Sequence, residues 1–377
     1  MFTVEMMAAE YGDALWIEYG NSSHPRIVGV DGGPQTDGSP LLARMRERSE
    51  GGASLHIELL IVTHVDADHI NGVLAALRSL PPKMTFGDIW FNGFKHLVPR
   101  DQLGPETGDL LSKRLVEAGL PWNKAFAADS APPRAGEAAD AVVVHPKGDL
   151  PSFDFSGLQV TVLSPTPDKL ARLHKVWKSV LKNADVAADR LGDIPANEQE
   201  TRTEGPDDLL GRSDTWPPDV RTLAAKAPRL DGSESNGSSI GVLAEYREGG
   251  KTYGVLLGAD CHSPVLESSI DRLLSTRGAE QLPLGAVKLP HHGSRHNLTN
   301  ALLDKLSCRR YLVSTNGDHF SHPDHEALAR VLVKGGREPL LLFNYETKFN
   351  QGWKHPPAGS PAYSTEYANG ALCLTIA

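Results

Sequence analysis

The chain has 377 residues, 40% of them hydrophobic, and a formal net charge of −9. That length can bury a sizeable core as one large domain or two smaller ones. The acidic balance argues against broad non-specific binding to nucleic acid, though not against a local basic groove. Three widely spaced cysteines, Cys261, Cys308 and Cys373, form no Cys-x-x-Cys pair, which predicts no disulfide framework and a reducing, cytoplasmic compartment. The first twenty residues read as a strand and not as a secretion signal. No stretch approaches the roughly 20 apolar residues of a membrane helix, so no membrane partner is expected.

In chain order, short apolar runs ending in turn signals predict strands. They are RIVGVDGG (26–33), ELLIVTHVD (58–66), DIWFNG (88–93), AVVVHP (141–146), LQVTVLSP (158–165), SIGVLAEY (239–246), YGVLLGAD (253–260), AVKLPHHG (286–293) and RYLVSTNG (310–317). Helical periodicity marks residues 71–80, 109–119 and 325–336. Strands in two blocks with interspersed helices predict a layered α/β architecture, with no internal repeat. Residues 166–235 break the rhythm and read as an insertion within a single 1–377 domain. It begins with an amphipathic stretch from Asp168 to Leu191, apolar at Leu170, Leu173, Val176, Trp177, Val180 and Leu181. Arg172, Lys175, Lys178 and Lys182 lie on the opposite face. A polar, Pro-containing run follows. The basic face is either a solvated surface or a recruiter of anionic substrate.

The densest chemistry lies in THVDADHING (63–72). An apolar run leads into His64, Asp66, Asp68 and His69, and a helical pattern starts directly afterwards. Four nitrogen and oxygen ligands within six residues can surround a pair of divalent ions, and imidazole with carboxylate suits zinc, manganese or iron. The plain alternative is a polar loop in which Asp68 caps the next helix.

This segment resembles the H-x-[HD]-x-D-H signature of the metallo-β-lactamase superfamily, with Asp at the third position. Asp260 closing YGVLLGAD, the pair His291-His292 in VKLPHHGSRHN and His322 in NGDHFSHPDHEAL follow the order of that family. Tyr11-Gly12-Asp13-Ala14 and Val30-Asp31-Gly32-Gly33 resemble its first hairpin. The nearest likeness is to the metallo-hydrolase domain of ComEC-type competence proteins and their stand-alone relatives, with phosphorylcholine esterases also similar. The resemblance implies a four-layer αββα fold, two packed mixed sheets flanked by helices. It also implies two divalent ions, zinc or manganese. His64 and Asp66 would hold the first, Asp68, His69 and His322 the second, and Asp260 would bridge them. Asp68 would also orient the attacking water.

The chain departs from the pattern of β-lactamases and thioester hydrolases. Asp66 replaces a second His, and Ser164 stands where a third His is expected, with His145 the only nearby substitute. The first site is therefore richer in oxygen and the more weakly occupied, which admits harder ions such as Mn²⁺. His291 and His292 have two readings, contact with phosphate or protonation of the leaving oxygen, or one as a further metal ligand. Ser294 is a candidate donor to phosphate. Lys288 is either an exposed lysine or a contact for an anionic substrate, and Arg172 and Lys175 are recruiting candidates. Asn236, in an Asn-x-x-Ser run, and Asp31 are candidates to orient the ligands.

The leading expectation is a phosphodiesterase, with nucleic acid among its anionic phosphoester substrates. The alternatives are a small phosphoester or carbonyl (lactone or thioester) hydrolase, and a metal-stabilised interaction module without catalysis. The sequence names no protein partner.

Overall fold

Apolar residues alternate along the first strands so that both faces are covered. In β1 (Phe2–Met6) and β2 (Leu15–Asn21), Phe2, Val4, Met6, Leu15, Ile17 and Tyr19 point to one core, while Trp16 points to another. A sheet buried on both faces must sit between two other layers, and the computed structural model has that arrangement. It describes residues 1–35, 38–97, 110–127, 137, 139–177 and 216–377. Lys178, Val180, Leu181, Lys182 and the polar run up to residue 215 lie outside the described residues.

The first sheet has the order β16-β1-β2-β3-β4-β5, adding β3 (His24–Val30), β4 (Leu55–Ile61), β5 (Met84–Trp90) and β16 (Leu372–Thr375). It is antiparallel from β16 to β3 and parallel from β3 to β5. The second contains β6 (Ser152–Phe155), β7 (Leu158–Ser164), β8 (Gly241–Glu248), β9 (Lys251–Leu257), β11 (Ala286–Lys288), β13 (Arg310–Val313), β14 (Leu340–Phe343) and β15 (Ser364–Tyr367). Its order is β15-β14-β13-β11-β9-β8-β7-β6, antiparallel from β6 to β9 and parallel beyond. A short pair, β10 (Leu282–Pro283) with β12 (Leu306–Ser307), stands apart.

Val160, Val162, Val242, Leu257 and Leu312 of the second sheet pack against Val4, Ile17, Val28 and Ile61 of the first in the central core. Outside the first sheet lie α1 (Pro40–Arg48), α2 (Ala67–Arg78), α3 (Leu110–Glu117) and a helix α4 over residues 167–177. Outside the second lie α5 (Val220–Ala225), α7 (Ser263–Arg277), α8 (Asn300–Asp304) and α9 (His325–Lys334), with the single-turn α6 (Glu234–Gly237) above its end. This is the expected αββα sandwich, two packed mixed sheets flanked by helices.

Three expectations change. AVVVHP is not a strand. Val142 and Val144 are buried in the central core, but the Val142 N–H and carbonyl pair with the side chain of Asn92 at 2.9 Å each, and Val144 N–H donates to Pro165 O. His145 at its end is exposed and its carbonyl accepts from Arg272 (2.8 Å), so it is no substitute ligand. The 166–235 segment also joins the body where it is described. Leu170, Leu173 and Trp177 are buried with Phe94 outside the first sheet, and Val220, Leu223 and Ala224 outside the second. Among the described residues no helix is long and apolar enough to cross a membrane.

Two loops that carry site residues meet through glycine. Gly32 N–H donates to His69 O (2.9 Å) and Gly72 N–H to Gly33 O (2.8 Å). A Cβ on Gly72 would fall inside the Gly32 carbonyl. Both groups are backbone and cannot swing away, so overpacking here costs about 1–3 kcal/mol. Gly72→Ala is expected to lower the unfolding free energy by that amount, read as a lower urea midpoint with an unchanged slope.

Candidate metal centre

The motif segments leave the carboxyl ends of strands at one end of the sandwich. Asp31 follows β3, His64 follows β4, Asp260 follows β9, His291 and His292 follow β11, and His322 follows β13. Both sheets therefore feed one site, at the end where open α/β sheets bind ligands.

In the first segment the chain turns from β4 into α2 within five residues. Asp66 is the N-cap residue of α2, but its side chain makes no capping hydrogen bond. Its Oδ2 instead accepts from Ser235 Oγ (2.8 Å) and lies 3.4 Å from His64 Nε2. Asp68 and His69 occupy the first helical turn and are buried. The reading of Asp68 as a cap is thereby replaced, and the carboxylates are left facing the imidazoles.

Asp31, fully buried, organises this half. Its Oδ1 accepts from Thr63 N–H (2.8 Å), and its Oδ2 accepts from Thr63 Oγ1 (2.7 Å) and from His69 Nδ1 (2.8 Å). Because the Thr63 hydroxyl donates to Asp31, its lone pair is left to accept from His64 Nδ1 (3.0 Å). One carboxylate thus fixes both rings with their Nε2 atoms turned inward.

His291 and His292 have φ of 47° and 53°, and Gly293 follows at 86°. Left-handed non-glycine residues cost on the order of 1–3 kcal/mol each, so the turn needs fixed supports. His291 N–H donates to Ala259 O (2.8 Å), and Ser294 N–H to His291 O (2.8 Å). The result is that adjacent rings, 5.8 Å apart and 67° to each other, both face Asp260. His291 Nδ1 donates to Asn297 Oδ1 and His292 Nδ1 to Ser314 O, each at 2.9 Å.

The inward atoms converge on Asp260. Its Oδ2 lies 3.5 Å from His69 Nε2, 3.6 Å from His291 Nε2 and 3.9 Å from His64 Nε2, and its Oδ1 lies 3.9 Å from His292 Nε2. Asp68 Oδ2 is 3.3 Å from His292 Nε2 and 3.6 Å from His69 Nε2. Burial alone would raise the Asp260 carboxyl, but the imidazoles of His291, His69 and His292 hold it well below the usual carboxylate range. Nε2 of His64, His69 and His292 and Oδ1 of Asp260 are buried with no hydrogen-bond partner. Leaving such atoms unmet is costly, and bound divalent metal would satisfy them. Asp13, His69, Asp260 and His292 offer ligating atoms within 4.8 Å of one another. The donor set fits a divalent metal.

The other candidate residues lie around this cluster or farther out. His322, expected on the second metal, is buried and packs 5.3 Å from the His291 ring with its Nδ1 3.6 Å from Asp324. The ring of His292 faces Asp68 and Asp260. Ser294 is fully buried, its N–H spent on His291 and its hydroxyl accepting from His296 N–H (3.3 Å), so it is not placed to meet phosphate. Lys288 is neither exposed nor at the mouth. It is fully buried and ion-paired with Asp13. Asn236 donates to Asp231 Oδ2 (2.8 Å), which also accepts from Asn297 Nδ2 (2.8 Å), so its influence runs toward His291. Arg172 and Lys175 are exposed on α4, and Arg172 pairs with Asp168 at 3.0 Å. Nothing in the sequence singles out Thr63, Asp231, Ser235, Asn297 or Ser314 as partners of the site, although Thr63 and Asn297 lie within the quoted motif segments. Cys261 is buried and its thiol donates to Ser239 O (3.3 Å).

No family profile matches the chain, and no curated protein matches it. Among solved structures, it is similar to a diphosphatase of the PhnP family, at 9% identity over 99% of this chain and 98% of that one, with a TM-score of 0.37. It is also similar to MEM-A1, a subclass B3 metallo-β-lactamase from a soil metagenome library, at 12% identity over 88% and 92%, with a TM-score of 0.27. Neither is a competence-type protein, and likenesses this remote assign no activity.

Removing an orienting partner of a metal-ligating imidazole typically weakens metal binding about 10–100-fold. Asp31→Asn is expected to weaken divalent-metal binding by that range, because it serves His69 directly and His64 through Thr63. Thr63→Val, which leaves the contact to His69, should weaken it less. Titration of the metal-free variants with Zn²⁺ or Mn²⁺ separates the two outcomes.

Proposed function

We propose that this chain is a metal-dependent hydrolase of phosphoesters, acting on phosphodiesters with two divalent ions. The observation that carries the reading is the set of buried, unpartnered imidazole nitrogens facing Asp68 and Asp260 at the open end of the sandwich. His64, Asp66 and His291 would hold one ion, Asp68, His69 and His292 the other, with Asp260 between them. Such ions supply Lewis acidity and lower the pKa of water to near neutrality, which suits attack on an anionic centre.

The chain's own residues favour phosphorus over a carbonyl substrate. Ser164 takes the place of a third strand-end imidazole, and Asp66, Asp68 and Asp260 make the centre rich in oxygen. His291 and His292 have their Nδ1 protons committed to Asn297 and Ser314, so each works through Nε2. That commitment favours ligation over general-acid duty, which would need a proton on Nε2. Asp66, with 26% of its side chain exposed, is the most accessible carboxylate of the set and marks the approach for substrate. Arg172 and Lys175 on α4 are the proposed recruiters of the anion.

Reconstituted with Mn²⁺ or Zn²⁺, the protein should turn over bis-p-nitrophenyl phosphate or one of single-stranded DNA, duplex DNA and RNA. Asp260→Ala should lower kcat at least about 10³-fold, as loss of a group acting in the transition state does. Absence of turnover on every phosphodiester, with metal shown to be bound, would refute the reading. Replacing Arg172 and Lys175 together by Gln should raise KM for a polyanionic substrate several-fold with little change in kcat, and an unchanged KM removes them from recruitment.

A further inference from the structure

Behind His292 lies a charged pair that the proposed chemistry does not use. Lys288 is the only fully buried lysine among the described residues, and its ammonium is paired with Asp13 Oδ2. The other oxygen of Asp13 points at His292 Nδ1, 3.4 Å away. Asp13 comes from the loop between β1 and β2, which is pinned by Asp13 N–H to Asp68 O (3.2 Å). Lys288 is the last residue of β11, four positions before His292. The pair therefore joins the two sheets directly beneath the proposed second metal. A small cavity of about 10 Å³ beside the pair is lined by Asp13, Asp31, Thr63 and Lys288 with apolar neighbours such as Leu15 and Val242.

A buried ion pair is a poor stabiliser. Well-packed apolar residues of the same volume usually do as well or better, so stability does not explain why charges occupy this position. Geometry offers a reason. Asp13 lies close enough to His69, Asp260 and His292 to serve as a metal ligand itself. The ammonium of Lys288 holds one of its oxygens, and the remaining oxygen faces the Nδ1 side of His292, away from the ligating Nε2.

We propose that Lys288 and Asp13 are positioning residues for the metal centre: Lys288 keeps the Asp13 carboxylate out of the coordination sphere and against the Nδ1 side of His292, where its charge reinforces the Ser314 carbonyl in leaving Nε2 as the ligand. This rests on the metal-centre reading above, and the test distinguishes the two. Metal-free wild type, Lys288→Met/Asp13→Leu and Lys288→Gln/Asp13→Asn are titrated with Co²⁺, following the visible ligand-field absorption, and their metal-free thermal unfolding is compared. A pair replaced together leaves no unmatched charge, so at least one double variant should keep a melting temperature close to wild type. In that variant one of two Co²⁺ sites should lose about 10–100-fold in affinity, the usual cost of removing an outer partner of a ligating imidazole, with a changed spectrum. A folded double variant that binds Co²⁺ with wild-type affinity and spectrum overturns the proposal and leaves the pair purely structural. If wild type binds no Co²⁺ at all, the metal-centre reading falls and this proposal falls with it.

Discussion

The site depends first on the carboxylate of Asp31. It is fully buried, and its negative charge is met by three donors, two from Thr63 and one from His69. A buried carboxylate without them would be untenable by several kcal/mol. With them, it becomes the reference point from which both His64 and His69 are aimed. The position of Asp31 is in turn set by backbone, because Asp31 N–H donates to Ile61 O (2.8 Å) and Gly32 N–H to His69 O. Strand pairing thus sets the carboxylate, the carboxylate sets the rings, and the rings define where a cation can sit.

The two halves of the centre solve the same problem by different means. His64 and His69 belong to a strand-to-helix turn, where regular backbone geometry already brings them together and one carboxylate suffices. His291 and His292 are adjacent in sequence, and an extended chain would send their side chains to opposite faces. Consecutive left-handed residues overcome that, at a conformational cost spread over the supports from Ala259, Asn297 and Ser314. Asn297 is the most connected of these. It accepts from His291 and donates to Asp231 and to the carbonyls of Asp260 and Cys261, so the His pair and the central carboxylate share one anchor.

What the sequence made legible was what is local. The segment from His64 to His69, Asp260 at a strand end and the His291-His292 pair are each readable within a few residues; the strand runs predicted a layered α/β architecture, and the two-sheet sandwich came from the resemblance those motifs carry. Long-range pairs were not readable. Lys288 looks like any strand lysine until it meets Asp13, 275 positions away, and Ser235 gives no hint that it will donate to Asp66, 169 positions away. AVVVHP misled for a related reason. Its apolar residues are buried as a strand's would be, but the Asn92 side chain takes the place of a neighbouring strand.

One consequence of where the site lies concerns the sandwich as a whole. Asp31, His64, Asp66, Asp68 and His69 are carried by the first sheet and its helix, and Asp260, His291 and His292 by the second. Elsewhere the two sheets meet mainly through apolar side chains in their central core, a contact that is strong but without direction, with few polar ties such as Tyr19 Oη to Phe155 O (2.6 Å). The polar end supplies the direction. It works as a keyed latch at one lip of a hinged book, fixing the angle and offset at which the two leaves close.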